Sequence, residues 1–184
     1  MMSTITDIDF KILDFIQKHF SCRFLDFLMP KITFLGNEGL IWILTAVVML
    51  FLAKYRKTGI MVGLGLLEGV IIGNVLLKNL IARERPCWIN DTVTMLISIP
   101  RDYSFPSGHT LSSFIAATII MHHDKRMGIA AYVLASMIAF SRLYLYVHFP
   151  SDVFAGVLIG IIIGIVSNVI SNNIFSSVEK RTPQ

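Results

Sequence analysis

A polar segment, SFPSGHT (residues 104–110), leads directly into an apolar one, LSSFIAATIIM (residues 111–121). The apolar part is one of several such runs in a chain of 184 residues that is 54% hydrophobic and 15% charged. Soluble domains carry about 25% charged residues. The composition therefore argues against an ordinary soluble domain and predicts a single all-α domain, a polytopic transmembrane helical bundle.

Five apolar stretches are the predicted membrane spans. They cover approximately residues 39–53, 58–80, 107–121, 128–147 and 152–170. A spanning helix needs about 20 apolar residues, so flanking polar residues must complete the shorter stretches. A sixth span within the first 35 residues is the alternative, which makes the expected bundle one of five to six spans.

The N-terminal region has a different pattern. Ile5, Ile8 and Ile12 recur at helical spacing, while Asp7 and Lys11 take the opposite face. This pattern is typical of amphipathic helices that lie in the membrane interface. The predicted organisation is interfacial helices over residues 1–36, a transmembrane bundle over 37–172 and a cytoplasmic tail over 173–184.

The lysines and arginines predict the orientation of the bundle. With five spans, the basic residues at 54–57, 125–126 and 180–181 share one side, which the positive-inside rule assigns to the cytoplasm. Five other cations fall on the opposite side: Lys78, Arg83, Arg85, Arg101 and Arg142. Because they break the rule, we expect some of them to have a chemical role.

Small residues and isolated polar residues within the spans have structural interpretations. Glycine or alanine recurs every fourth residue in three spans: Gly65, Gly69 and Gly73; Gly156, Gly160 and Gly164; Ala131, Ala135 and Ala139. Such stripes allow helices to pack closely in lipid.

Glu68 is interpreted mainly as a packing residue. Cys22 and Cys87 are predicted to be unpaired thiols, with a disulfide in an oxidising compartment as the alternative, and they do not indicate a zinc site.

The first chemical cluster is KNLIARERP (residues 78–86). Lys78 and Arg85 are seven residues apart, which predicts that both lie on one face of a helix that Pro86 ends. Two neighbouring cations could hold an anion. Alternatively, both could extend to the lipid headgroups.

The second cluster is the polar segment that precedes the apolar run at residue 111. Pro106 suits the first turn of a helix, and Ser107, Gly108 and His109 follow it. Free backbone N–H groups, the helix dipole and the serine hydroxyl favour an anion there, while His109 can carry a proton. A capped helix start is the alternative.

The third cluster is SRLYLYVHFPSD (residues 141–152). Arg142 lies near the end of one predicted span, His148 in the turn and Asp152 in the first turn of the next. The Asp152 carboxylate could accept a hydrogen bond from the His148 imidazole, fixing its tautomer and raising its nucleophilicity. A purely structural pair is the alternative.

The predicted topology brings all three clusters to the same membrane face. Cations, a nucleophile and an acid are what phosphoryl transfer requires. No group of carboxylates suited to magnesium accompanies them, so we expect neither a metal nor another cofactor.

Three motifs together resemble the signature of the type 2 phosphatidic acid phosphatase superfamily. They are KxxxxxxRP at 78–86, PSGH at 106–109 and SRxxxxxHxxxD at 141–152, and the resemblance covers roughly residues 38–170. It implies a metal-independent phosphatase that forms a phosphohistidine on His148, which Asp152 orients, with His109 as the acid. The residues it implies for binding the phosphoryl oxygens are Lys78, Arg85, Ser107, Gly108 and Arg142. Arg83, Arg101, Asp102 and Tyr103 are expected to be solvated loop residues, with contact to the substrate headgroup as the alternative.

The expected function is hydrolysis of a terminal phosphate from a membrane lipid, with undecaprenyl diphosphate as the favoured substrate. Phosphatidylglycerophosphate and phosphatidate are the alternatives. A transporter or scaffold without catalysis is an alternative of another class. Vanadium-dependent haloperoxidases share the motifs, but those relatives are soluble. We expect the site at the outer face of a bacterial plasma membrane and no nucleic-acid partner, and we leave the oligomeric state open.

Overall fold

The computed structural model describes residues 4–179, with side chains as far as residue 170, and its regular elements in that range are all helical. The helices are α1 (Thr4–Phe20), α2 (Arg23–Gly36), α3 (Leu40–Phe51), α4 (Arg56–Gly69), α5 (Lys78–Ile81), α6 (Pro86–Ile89), α7 (Gly108–His123), α8 (Lys125–Tyr144) and α9 (Pro150–Glu179). A 3₁₀ turn (Asn37–Gly39) joins α2 to α3, and a π-helical segment (Val70–Leu77) joins α4 to α5. The predicted all-α fold is confirmed. Residues 180–184 of the predicted cytoplasmic tail lie outside the described residues.

Within the described residues, four helical segments are long and apolar enough to cross a membrane: Arg23–Phe51, Arg56–Ile89, Lys125–Tyr144 and Pro150–Ile170. The remaining predicted span, at residues 107–121, corresponds to α7, which has only 16 residues. Residues 113–120 of α7 are all buried, and the helix packs against α4, α8 and α9. The chain is therefore a multi-pass membrane bundle built around α7.

Helix α2 differs from the sequence-based expectation of an interfacial helix. It is part of the candidate span Arg23–Phe51, because α3 alone has 12 residues and is about 18 Å long. The hydrocarbon core is about 30 Å thick, so α2 has to supply the remaining length. The boundary predicted after residue 36 falls at a kink, where Glu38 and Gly39 take positive φ angles of 50° and 70°.

Helix α1 has two unlike faces. Ile5, Ile8 and Ile12 are exposed on its outer face, as expected for a helix that contacts the membrane interface. On the inner face Leu13 is buried in a small apolar cluster with Tyr146 and Phe149. Helix α1 therefore covers the turn between α8 and α9, while its place in the interface stays a prediction.

The helix that begins the first motif ends earlier than predicted. Ala82 takes a left-handed conformation (φ 47°) and its N–H bonds to Lys78 O, which closes α5 at Ile81. Arg85 is extended, as a residue before proline should be, and Pro86 begins α6 instead of ending a helix. Lys78 and Arg85 therefore do not share a helix face.

Polar contacts join the spans where the sequence places isolated polar residues. Trp42 of α3 donates from Nε1 to Ser113 Oγ of α7 (2.8 Å), and Ser167 of α9 donates to Glu68 Oε2 of α4 (2.8 Å). This bond supports the structural interpretation of Glu68. Cys22 and Cys87 are free thiols, as predicted.

The glycine stripe of α9 packs directly on the backbone of α7. A Cβ atom at Gly160 would lie 2.8 Å from Leu111 O and 2.9 Å from Phe114 Cβ. Neither neighbour is the end of a flexible side chain, so an added methyl group would force the two helices apart. The prediction that this stripe permits close helix packing is confirmed.

We expect Gly160→Ala to lower the free energy of unfolding by about 1–3 kcal/mol, the usual cost of overpacking. Thermal unfolding of the purified protein in detergent measures this change. Gly63→Ala is the matched control, because a Cβ atom at Gly63 of α4 would meet nothing within 4 Å. Equal melting temperatures for the two variants would contradict the packing argument.

Candidate active site

The three motifs meet at one end of the bundle. Arg85 Nη1 of the first motif lies 3.0 Å from His148 Nε2 of the third. A Cβ atom at Gly108 of the second motif would lie 3.8 Å from Lys78 Nζ of the first. The Ser107 N–H donates to Asp152 O (3.2 Å), which joins the second motif to the third. The fold therefore assembles one site from three distant parts of the chain.

The hydrogen bonds of His148 define its tautomer. A guanidinium group can only donate, so the contact with Arg85 makes His148 Nε2 the acceptor and places the ring proton on Nδ1. Burial, followed by the positive charges of Arg85 and Arg142, lowers the pKa of His148 well below its ordinary value. His148 is therefore a neutral imidazole whose Nε2 lone pair faces the cationic side of the site.

The hydroxyl of Ser104 connects Asp152 to His148, which was not predicted from the sequence. His148 Nδ1 lies 3.8 Å from Asp152 Oδ2, too far for the direct hydrogen bond expected from the sequence. Ser104 Oγ lies between them, donating to Asp152 Oδ2 (2.5 Å) and 3.3 Å from His148 Nδ1. The tautomer of His148 makes its Nδ1–H the donor to Ser104, so a relay runs from imidazole to hydroxyl to carboxylate.

The Asp102 carboxylate forms ion pairs with both cations of the first motif. Its carboxylate pairs with Lys78 Nζ through Oδ2 and with Arg85 Nη2 through Oδ1 (2.8 Å). Partial burial raises its pKa, but Lys78 and Arg85 together outweigh that effect and lower it to about 2. Asp102 is therefore ionised at any ordinary pH. It is not the purely solvated loop residue expected from the sequence.

Arg142 of the third motif is buried, and one of its donors is unsatisfied among the described residues. Its side chain is buried and donates from Nη1 to Thr33 Oγ1 of α2 (2.5 Å). Its buried Nε atom has no hydrogen-bond partner among the described residues. A buried donor without a partner is costly, so Arg142 is well suited to bind an anion that enters the site.

The second motif begins α7 later than predicted, because Ser107 is the N-cap and Pro106 lies before the helix. Gly108 opens the helix and lies against Asn74, whose Oδ1 would be 3.0 Å from a Cβ atom at residue 108. His109 follows, and its Nε2 lies 2.9 Å from Asn37 Oδ1 in the turn between α2 and α3. The start of α7 therefore supplies unpaired backbone N–H groups and an oriented histidine.

A cavity of about 1240 Å³ extends from this site along the bundle. At one end it is lined by the polar residues Lys78, Arg85, His109, Arg142 and His148. Apolar residues of α3 and α4 line the rest, among them Val47, Leu50, Ile60, Leu64 and Leu67. The site is therefore open to a ligand that has both an anionic end and a long apolar part.

Arg83 is the other residue whose environment differs from the expectation of a solvated loop. Arg83 Nη1 donates to Asp152 Oδ1 (2.6 Å), and Nη2 donates to Asp9 Oδ2 of α1 (2.7 Å). Arg101 and Tyr103 are exposed, as expected. Contacts between distant parts of the chain give no local sequence signal, so sequence reasoning missed the roles of Ser104, Asp102 and Arg83.

The described part of the chain contains no cluster of three or more His, Cys, Asp or Glu side chains that could hold a metal ion. The positive charge of the site comes from lysine and arginine side chains.

Comparisons with known proteins agree with this geometry. The family model of the PAP2 superfamily matches residues 57–176. The undecaprenyl-diphosphatase of Sulfolobus acidocaldarius is 34% identical over 133 residues, which are 72% of this chain and 64% of that protein. Phosphatidylglycerophosphatase B of Bacillus subtilis is 31% identical over 141 residues, with 70% of this chain and 66% of that protein covered. The chain thus spans about two thirds of the length of these curated relatives.

A solved structure resembles the whole fold. The crystal structure of a transmembrane PAP2 type phosphatidylglycerolphosphate phosphatase from Bacillus subtilis superposes with a TM-score of 0.76 at 26% identity. The match covers 94% of this chain and 89% of that one. It therefore includes the N-terminal region that the family model does not reach.

We expect Asp102→Asn to strengthen binding of inorganic phosphate about tenfold, which corresponds to about 1.4 kcal/mol. An amide does not form ion pairs with Lys78 and Arg85, so an incoming anion no longer has to displace a carboxylate. The inhibition constant of phosphate measures the effect. Asp91→Asn, in the same connection and exposed, is the control. An unchanged constant for Asp102→Asn would contradict the interpretation.

Proposed function

Because the chain belongs to the PAP2 superfamily, we propose that it is an integral membrane phosphatase that removes a terminal phosphate from a lipid phosphate or diphosphate. The proposal rests on one observation: a cationic site that contains histidines lines the same cavity, of about 1240 Å³, as apolar residues of the bundle. The cations suit the phosphate, and the cavity suits a lipid tail. A soluble phosphate ester would not need the apolar part.

In the first step Arg85 Nη1 exchanges its hydrogen bond to His148 Nε2 for one to a phosphoryl oxygen, and the freed Nε2 lone pair attacks the terminal phosphorus atom. A P–N bond forms while the P–O bond to the leaving group breaks, and its electron pair stays on the leaving oxygen. His109 enters this step as an imidazolium beside the anionic phosphate and donates its proton to that oxygen. The phosphorylated ring keeps its proton on Nδ1 and is cationic, so the relay through Ser104 to Asp152 stabilises it.

In the second step a water molecule attacks the phosphorus atom of the phosphohistidine. His109, now neutral, accepts a proton from the water, and the electrons of the P–N bond return to His148 Nε2. Lys78, Arg85 and Arg142, with the Ser107 hydroxyl and the Gly108 backbone N–H, hold the phosphoryl oxygens through both steps. Neither step requires a metal ion or another cofactor.

The substrate that we favour is undecaprenyl diphosphate, with undecaprenyl phosphate as the product. Support comes from the relative of that name and from the long apolar cavity beside the site. The relative named phosphatidylglycerophosphatase B makes phosphatidylglycerophosphate the second candidate. Both substrates carry a terminal phosphate on an apolar anchor, and phosphatidate is a third of the same kind.

We place the site at the outer face of a bacterial plasma membrane. The basic connections at residues 54–57 and 125–126 lie at the opposite end of the bundle, where Tyr55 donates to Asp124 Oδ2 (3.0 Å). The positive-inside rule assigns that end to the cytoplasm. Hydrolysis at the outer face would release phosphate outside the cell.

We expect His148→Ala to abolish phosphate release, because it removes the nucleophile. The assay uses purified protein in detergent with EDTA and compares undecaprenyl diphosphate, phosphatidylglycerophosphate and phosphatidate. His122→Ala, at the exposed far end of α7, is the control and should retain activity. Release that persists in His148→Ala would overturn the nucleophile assignment, and no release by the unaltered protein would favour a transporter or scaffold.

We expect Gly63→Trp to lower kcat/KM for the lipid by roughly tenfold, or about 1.4 kcal/mol, because Gly63 lines open space in the cavity that an indole would fill. Hydrolysis of a short, water-soluble phosphate monoester should change little. Leu76→Trp is the control, since Leu76 is exposed on the same helical segment but does not line the cavity. Equal losses for both substrates would contradict a tail-binding role.

A further inference from the structure

A carboxylate of the N-terminal helix is buried behind the proposed nucleophile. Asp9 of α1 has 3% of its surface exposed, although the neighbouring Asp7 and Ile8 are exposed. Its Oδ1 accepts from Ser151 N (3.0 Å), and its Oδ2 accepts from Ser151 Oγ (2.5 Å) and Arg83 Nη2 (2.7 Å). Burial of a charged group is costly unless the group is paired, and Asp9 is paired with Arg83.

Arg83 connects Asp9 to the relay that supports His148. Its Nη1 donates to Asp152 Oδ1 at 2.6 Å, and its guanidinium lies 4.1 Å above the ring of Phe149. The other oxygen of Asp152 accepts from Ser104 Oγ and from the Phe149 N–H. Asp9 is thus three hydrogen-bonded groups removed from the imidazole.

The charges of this group determine how strongly Asp152 can support His148. Asp152 is fully buried and has Arg83 as its ion-pair partner among the described residues. If Arg83 were balanced by Asp152 alone, the pair would be neutral. Because Asp9 also pairs with Arg83, the three side chains keep one net negative charge next to the histidine. Such a charge stabilises the cationic ring that forms when Nε2 is phosphorylated.

We infer that Asp9 is a positioning residue for catalysis, which acts through Arg83 to keep Asp152 electrostatically negative toward His148. The inference rests on the proposed phosphohistidine mechanism. It makes α1 part of the catalytic apparatus as well as a membrane-contacting helix. Asp9 lies outside residues 57–176, the region that the family model matches. The three motifs of that region therefore do not contain the whole charge balance of the site.

The test measures the single-turnover rate constant of enzyme phosphorylation with undecaprenyl diphosphate labelled in its terminal phosphate, and with labelled phosphatidate in parallel. This rate constant does not depend on the fraction of protein that is folded. For Asp9→Asn we expect a fall of about tenfold, the lower end of the effect of groups that support a reactive ligand from outside. Asp7→Asn, on the same helix and exposed, should match the unaltered protein.

The double variant Asp9→Asn with Arg83→Gln separates an electrostatic role from a structural one. It removes one charge of each sign and restores the net negative charge, so its rate constant should exceed that of Asp9→Asn several-fold. A structural role predicts further damage instead. An unchanged rate constant for Asp9→Asn, or a double variant no faster than Asp9→Asn, would overturn the inference. Failure of the unaltered protein to become labelled would instead reject the proposed function.

Discussion

The burial of positive charge at one end of the bundle is the constraint on which the site depends. Four cations, Lys78, Arg83, Arg85 and Arg142, share this end with three carboxylates, Asp9, Asp102 and Asp152. Charges removed from water are costly unless they are paired. With His148 neutral, one positive charge remains among these side chains. Under the proposed function, a phosphate that displaces Asp102 from Lys78 and Arg85 would take over the charge balance that the carboxylate supplies, so the same two cations suit either anion.

The helices were largely predictable because apolar runs in lipid have few structural options. All five predicted spans correspond to observed helices, and the kink at Glu38 falls close to the predicted end of the N-terminal region. The errors lie where a local pattern is ambiguous. Alanine is a strong helix former, so nothing in the sequence marks Ala82 as the left-handed residue that ends α5. The apolar content of α2 suits an interfacial helix as well as half of a span.

The site was predictable only for the side chains that the motifs specify. His148, His109 and Arg142 line the same cavity, as expected from their spacing and the topology. The supporting groups could not be found in this way. Arg83 and Asp9 are separated by 74 residues, and their ion pair depends on how α1 packs over the turn before α9. A spacing rule describes one helix or one turn, whereas these contacts depend on the packing of several.

The relation between the cavity and the site also limits what the protein can select. One helical segment, from α4 through the π-helical segment to α5, lines the cavity with Ile60 and Leu67 and then delivers Lys78 to the site. This segment therefore fixes the distance between the apolar lining of the cavity and the cations of the site. Under the proposed function, a lipid that places its phosphate at Lys78 lays the first part of its tail along α4. On that proposal the distal tail extends beyond this contact, so selection acts on the phosphate and the adjoining apolar part, and the full length of the tail contributes little.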